Sequence, residues 1–175
     1  MDNPTYYNLG SHSETIQIDY DPAKISYKEL LAVFWDSHDP TFQPASPQYM
    51  SIIFYHSDEQ KRLAMETKEQ EEARIGRSIQ TSIIAFSDFY LAENYHQKYY
   101  LQQDNALREE FKIIYPAAKD FIYSTAVARV NGYVGGYGTL DTLQRELDSL
   151  GLSTAGSSRL LEIADRGLKS GCVIP

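Results

Sequence analysis

A chain of 175 residues with 42% hydrophobic and 13% aromatic side chains suits one core-forming domain with an appendage better than two full domains. Sixteen Lys and Arg against 24 Asp and Glu leave a net charge of −8, and no segment forms the basic stripe that tracking nucleic acid or an anionic membrane requires. No apolar run approaches a membrane span, Met1-Asp2-Asn3-Pro4 has no basic or apolar signal region, and Cys172 is the only cysteine, so a soluble protein of the reducing cytoplasm is expected.

Residues 1–14 are polar and turn-like, with Asn3-Pro4 and Gly10 as breakers. Residues 15–20 alternate, with Ile16, Ile18 and Tyr20 on one face, and predict a half-buried strand. Ser26 followed by Glu29 forms a capping-box pattern. Tyr27, Leu30, Leu31, Phe34 and Trp35 behind it make the apolar stripe of a core-facing helix. His38-Asp39-Pro40 should end that helix, since proline disfavours helical angles in the residue before it.

A proline-bearing loop over 40–48 leads to a short, mostly apolar strand at 50–55, of the kind buried on both faces. Ser57 then caps a long charged helix to about Arg77. A third strand is predicted over 78–86 and an aromatic-rich helix over about 89–102. The β-α-β-α-β order suggests an α+β sandwich with helices covering one face of a sheet. Residues 106–131 read as helix broken at Pro116 and ending at Asn131-Gly132. Leu140, Leu143, Leu147 and Leu150 mark another helix stopped by Gly151, and Leu160, Leu161 and Ala164 a last one. The division expected is residues 1–103 as the α+β domain and 104–175 as a helical extension.

Three local patterns invite chemistry and fall short of it. His12-Ser13-Glu14 has the H-x-E form of zinc deaminases, which also need a downstream P-C-x-x-C that one cysteine cannot supply. None of the four histidines, His12, His38, His56 and His96, sit at i, i+4, so no metal is expected. The glycine-rich residues 132–138 follow a helix, not a strand, and lack the phosphate-loop lysine; a flexible turn between helices is expected there.

An ordered series of segments goes further. Asn3-Pro4-Thr5-Tyr6 and Gly10-Ser11-His12-Ser13-Glu14 are followed by Asp21-Pro22-Ala23-Lys24-Ile25-Ser26-Tyr27 and Val33-Phe34-Trp35-Asp36-Ser37-His38-Asp39-Pro40. Gln48-Tyr49-Met50-Ser51-Ile52-Ile53, Tyr55-His56, Asp58-Glu59-Gln60 and Phe89-Tyr90-Leu91-Ala92-Glu93-Asn94-Tyr95-His96-Gln97 continue it. Over residues 3–102 this series resembles the peptide methionine sulfoxide reductase A family. The resemblance implies a ferredoxin-like two-layer sandwich and thiol-dependent reduction of methionine-S-sulfoxide, free or in proteins, with thioredoxin as the electron donor and no cofactor. In that chemistry a thiolate attacks the sulfoxide sulfur and a second thiol resolves the sulfenic acid as a disulfide.

By resemblance Glu14 is the acid that protonates the sulfoxide oxygen, and Tyr6 and Tyr49 are the hydroxyls that share its developing charge. On the residues alone, Glu14 reads equally as a solvated partner of a lysine and Tyr6 as a surface residue.

The family's nucleophile lies in a Gly-Cys-Phe-Trp motif upstream of the N-P-T-Y segment, and the chain contains no such motif. The expectation is therefore a family member truncated at its start, missing the first strand-helix-strand and the nucleophile, and inactive as it stands. Cys172 is a candidate resolving thiol or a plain terminal one. The other reading is a non-catalytic sulfoxide-binding or protein-interaction module.

Overall fold

Helix α1 (Tyr27–Asp36) begins at a capping box: Ser26 Oγ accepts from the Glu29 amide at 3.2 Å, and the Ser26 amide donates to the Glu29 carboxylate at 2.7 Å. It stops where His38-Asp39-Pro40 predicts, with the Ser37 hydroxyl donating to the Phe34 carbonyl at 2.7 Å and Asp39 Oδ1 accepting from the Thr41 amide at 2.9 Å. The computed structural model describes Pro4, Gly10 and residues 12–169, apart from the side chains of residues 168 and 169. These fall into two compact units, Met1–Leu91 and Ala92–Pro175.

In the first unit, strands β1 (Ile52–Tyr55) and β2 (Ser82–Ala85) pair in parallel, from Ile52 opposite Ser82 to Tyr55 opposite Ala85. Parallel strands need a crossover, and α2 (Asp58–Ile75) supplies it. Ser57 caps its start by accepting from the Gln60 amide at 3.2 Å, and Gly76 ends it at φ +71°, a left-handed conformation that glycine adopts without strain. Leu31, Trp35, Ile53, Ala64 and Ile79 are buried together between α1, α2 and the strands. The outer face of α2 is solvated, with Arg62 bridging Glu59 and Glu66.

Two predicted elements of this unit are corrected. Residues 15–20 form no strand or helix and belong to no ladder among the described residues, and Ile16 and Ile18 are 81% and 53% exposed. Alternation marks the face a strand could bury, but a strand also needs a neighbour to take its backbone groups. Just ahead of this stretch, the Glu14 amide donates to the Gln48 carbonyl at 2.9 Å. The third predicted strand shortens to Ser82–Ala85, and β1 buries Ile53 alone. The segment is thus a mixed α/β unit around a two-stranded parallel sheet.

The second unit is helical: α3 (Tyr99–Gln103), α4 (Asn105–Ile114), α5 (Ala118–Tyr123), α6 (Thr125–Val134), α7 (Leu140–Glu146) and α8 (Thr154–Lys169). Helix α7 runs on as a 3-10 turn over Leu147–Leu150, which Gly151 stops at φ +74°. Pro116 separates α4 from α5 as predicted. The helix expected over 89–102 is reduced to α3. Residues ahead of it form turns whose carbonyls are taken up by the Gln102 side chain, which donates to Asn94 at 2.7 Å and Gln97 at 2.5 Å.

Asn131 does not end α6. Its side chain accepts from the Leu101 amide at 3.1 Å, and the helix continues to Val134. That bond, and the complete burial of Leu101, place α3 with the helices. The unit therefore begins at Ala92, ahead of the change in composition near 103–106.

Candidate functional site

Glu14 and Gln48, far apart in sequence, meet in the first unit. A 3-10 turn at Pro47–Tyr49 is capped by Ser46, whose hydroxyl accepts from the Gln48 amide at 3.3 Å. The stretch before α1 is tied to this turn by three bonds. The Ser13 hydroxyl donates to the Pro47 carbonyl at 2.7 Å, the Glu14 amide to the Gln48 carbonyl at 2.9 Å, and the Gln48 side-chain amide to Glu14 Oε1 at 2.7 Å.

Glu14 is thus held by backbone and side chain to the residue next to Tyr49. Gln48, which the sequence does not single out, is the residue that bonds Glu14 here. Its place beside Tyr49 in the matching segment was the one available signal. Tyr49 is 55% exposed and Glu14 is also exposed. Tyr6 and Cys172 lie outside the described residues.

His12 is partly buried and meets the Tyr90 ring edge-on at 5.4 Å. Among the described residues no three His, Cys, Asp or Glu side chains converge as a metal would require. No helix among them is long and apolar enough to cross a membrane. An open crevice of about 400 Å³ at the carboxyl ends of β1 and β2 is lined by Tyr55, His56, Ser57, Asp58, Ala85 and Phe86, with His56 stacked on Phe86 at 4.3 Å.

In the helical unit, the glycine-rich turn wraps tyrosine rings. A Cβ on Gly135 would stand 2.7 Å from the Tyr100 ring, and one on Gly138 would stand 2.8 Å from the Tyr133 ring. The glycines there permit close packing.

Comparison with known proteins bears on the whole chain. The family model described as Peptide methionine sulfoxide reductase matches residues 1–129, and that of the Selenoprotein methionine sulfoxide reductase A, helical domain, matches residues 119–164. A peptide methionine sulfoxide reductase of Drosophila melanogaster is 40% identical over 154 residues, covering 87% of this chain and 61% of its own. Peptide methionine sulfoxide reductase A5 of Oryza sativa is 36% identical over 170 residues, 94% of this chain and 62% of the relative. The MsrA of Methanosarcina mazei is 43% identical over 108 residues, covering 55% of this chain and 51% of its own. The chain therefore spans about six tenths of the length of the fly and rice relatives. It belongs to the peptide methionine sulfoxide reductase family.

Proposed function

We propose that this chain carries the sulfoxide-recognition part of a peptide-methionine (S)-S-oxide reductase with the family's ferredoxin-like sandwich, acting on methionine-S-sulfoxide in the cytoplasm with thioredoxin as the final electron donor. The observation that carries this reading is the Glu14–Gln48 pair beside Tyr49, formed by residues 34 apart in the sequence. Glu14 gives a proton to the sulfoxide oxygen as the S–O bond weakens, and the hydroxyls of Tyr49 and Tyr6 donate hydrogen bonds to it. The overall reaction consumes two thiols and two of their hydrogens. The sulfoxide becomes a thioether, the thiols a disulfide, and the oxygen leaves as water. Cys172 is suited to the resolving step, and the attacking thiolate is not among the residues of this chain.

The test is dithiothreitol-driven reduction of a methionine-S-sulfoxide peptide by the 175-residue chain, run beside a binding titration with the same peptide. Binding without turnover is the expected result, with Glu14→Gln and Tyr49→Phe each weakening it. Turnover that disappears in Cys172→Ser would overturn the account of the nucleophile. Absence of binding would overturn the functional reading.

A further inference from the structure

The turn that carries Gln48 and Tyr49 has no buried side chain of its own, and it is held from two sides. On one side are the bonds from Ser13 and Glu14. On the other is Ser51, whose carbonyl accepts from the Ser82 amide at 3.0 Å where the strands begin.

The Ser51 side chain is held by His38, just beyond α1. His38 Nδ1 lies 2.9 Å from the Phe34 carbonyl oxygen, which can only accept, so Nδ1 carries the ring hydrogen. In the neutral ring this leaves Nε2 as an acceptor, and Ser51 Oγ stands 2.7 Å from it. With its proton given to Nε2, Ser51 Oγ accepts from Thr81 Oγ1, also at 2.7 Å. Thr81 is 1% exposed and its carbonyl accepts from Lys68 Nζ at 2.8 Å. The hydrogen-bond chain runs from the core side of β2 through Ser51 and His38 to the last turn of α1. It joins Ser51, just before β1, to Thr81 and to the last turn of α1.

We propose that His38 is a positioning residue. By accepting from Ser51 it fixes residues 46–51, and with them Tyr49 and the Gln48–Glu14 pair, in one arrangement before substrate arrives. The role of this arrangement in binding rests on the proposed function; the positioning itself does not. Preorganisation of this kind improves affinity by removing the cost of ordering the site on binding.

The isotope-labelled 175-residue chain supplies the test. The Gln48 side-chain amide and Tyr49 backbone amide are expected to shift in Ser51→Ala and His38→Phe, while amides of α8 stay in place. His38→Gln, which keeps an acceptor for the Ser51 hydroxyl, returns both toward the parent positions. Affinity for the methionine-S-sulfoxide peptide is expected to fall roughly tenfold in the first two variants and to recover in the third. A role confined to stability would lower the melting temperature and leave those two resonances and the affinity of the folded protein unchanged.

The proposal is overturned if Ser51→Ala leaves both resonances in place, or if His38→Gln is displaced as far as His38→Phe. Should His38→Phe fail to fold, Ser51→Ala and His38→Gln still decide it. A parent chain that binds no sulfoxide peptide refutes the functional reading, and the resonance shifts judge His38 without it.

Discussion

The helical unit and the α/β unit are made from the same chain and reach different degrees of closure. Among the described residues, the helical core gathers ten buried side chains, seven of them wholly inaccessible, from Leu101 to Leu160. The core of the α/β unit gathers five, and only Ala64 is wholly inaccessible. A helix satisfies its own backbone and needs a neighbour only for its apolar stripe. A strand needs a neighbour for its backbone as well, and a two-stranded sheet is marginal by itself. The difference predicts slower amide hydrogen exchange in α4, α6 and α8 than in β1 and β2.

The largest effect expected from one substitution follows from that contrast. Phe111 is wholly buried in the helical core, and Phe111→Ala should destabilise by about 3–5 kcal/mol, from lost burial and the cavity left behind. Ile53→Val, in the smaller core, should cost about 0.5–1.5 kcal/mol. Denaturant midpoints and exchange rates of both variants check the ranking, and equal losses would break the comparison.

Turn glycines sharpen it. Gly138 has φ +89° and lies against the Tyr133 ring, whereas Gly76 has φ +71° with open space around it. Ala at either position meets the left-handed penalty, about 1–2 kcal/mol per residue. Only Gly138→Ala also forces a ring to move, so its melting temperature should fall further than that of Gly76→Ala.

The elements most legible in the sequence were those whose signals are local. The Ser26 box, the Ser57 cap, the break at Pro116 and the stop at Gly151 each depend on bonds within a few residues, and each is where the sequence puts it. Residues 15–20 misled because Ile16 and Ile18 state a preference for burial that only a distant partner could satisfy. The aromatic-rich stretch before α3 misled because Gln102, several residues away, holds it in turns. At the candidate site, the motifs marked Glu14 and Tyr49, but Gln48, His38 and Ser51 became legible only once their side chains met.

Acid and alkali should act on the helical unit through the half-buried Asp104 and the buried Tyr133. Burial raises the pKa of the Asp104 carboxyl, but the Leu107 amide and the Arg159 guanidinium outweigh it and hold the group below its usual range. An unfolded aspartate titrates near ~3.9, so this contribution is complete above that pH and is lost as pH falls through the lower folded value. Burial, and then the hydrogen bond to Glu146, push the Tyr133 phenol up to about 12. The unfolded phenol titrates near ~10, so its contribution is complete below that pH and fades as pH rises toward the folded value. Denaturant midpoints followed against pH should show a shallower acid limb in Asp104→Asn and a shallower alkaline limb in Tyr133→Phe.

A small effect of a different kind belongs to the α/β unit. Ser26→Ala removes the acceptor for the Glu29 amide and frees the Glu29 carboxylate from the Ser26 hydroxyl, which donates to it at 2.6 Å. Loss of such a cap costs about 1 kcal/mol. Helix α1 contributes Leu31 and Trp35, two of the five buried residues of its core, so fraying at the Ser26 end should pass into that core. Exchange of the β1 amides should therefore quicken along with that of α1. If only the first turn of α1 responds, the small core resists local fraying better than its number of buried side chains implies, and the contrast between the two units is weaker than burial alone suggests.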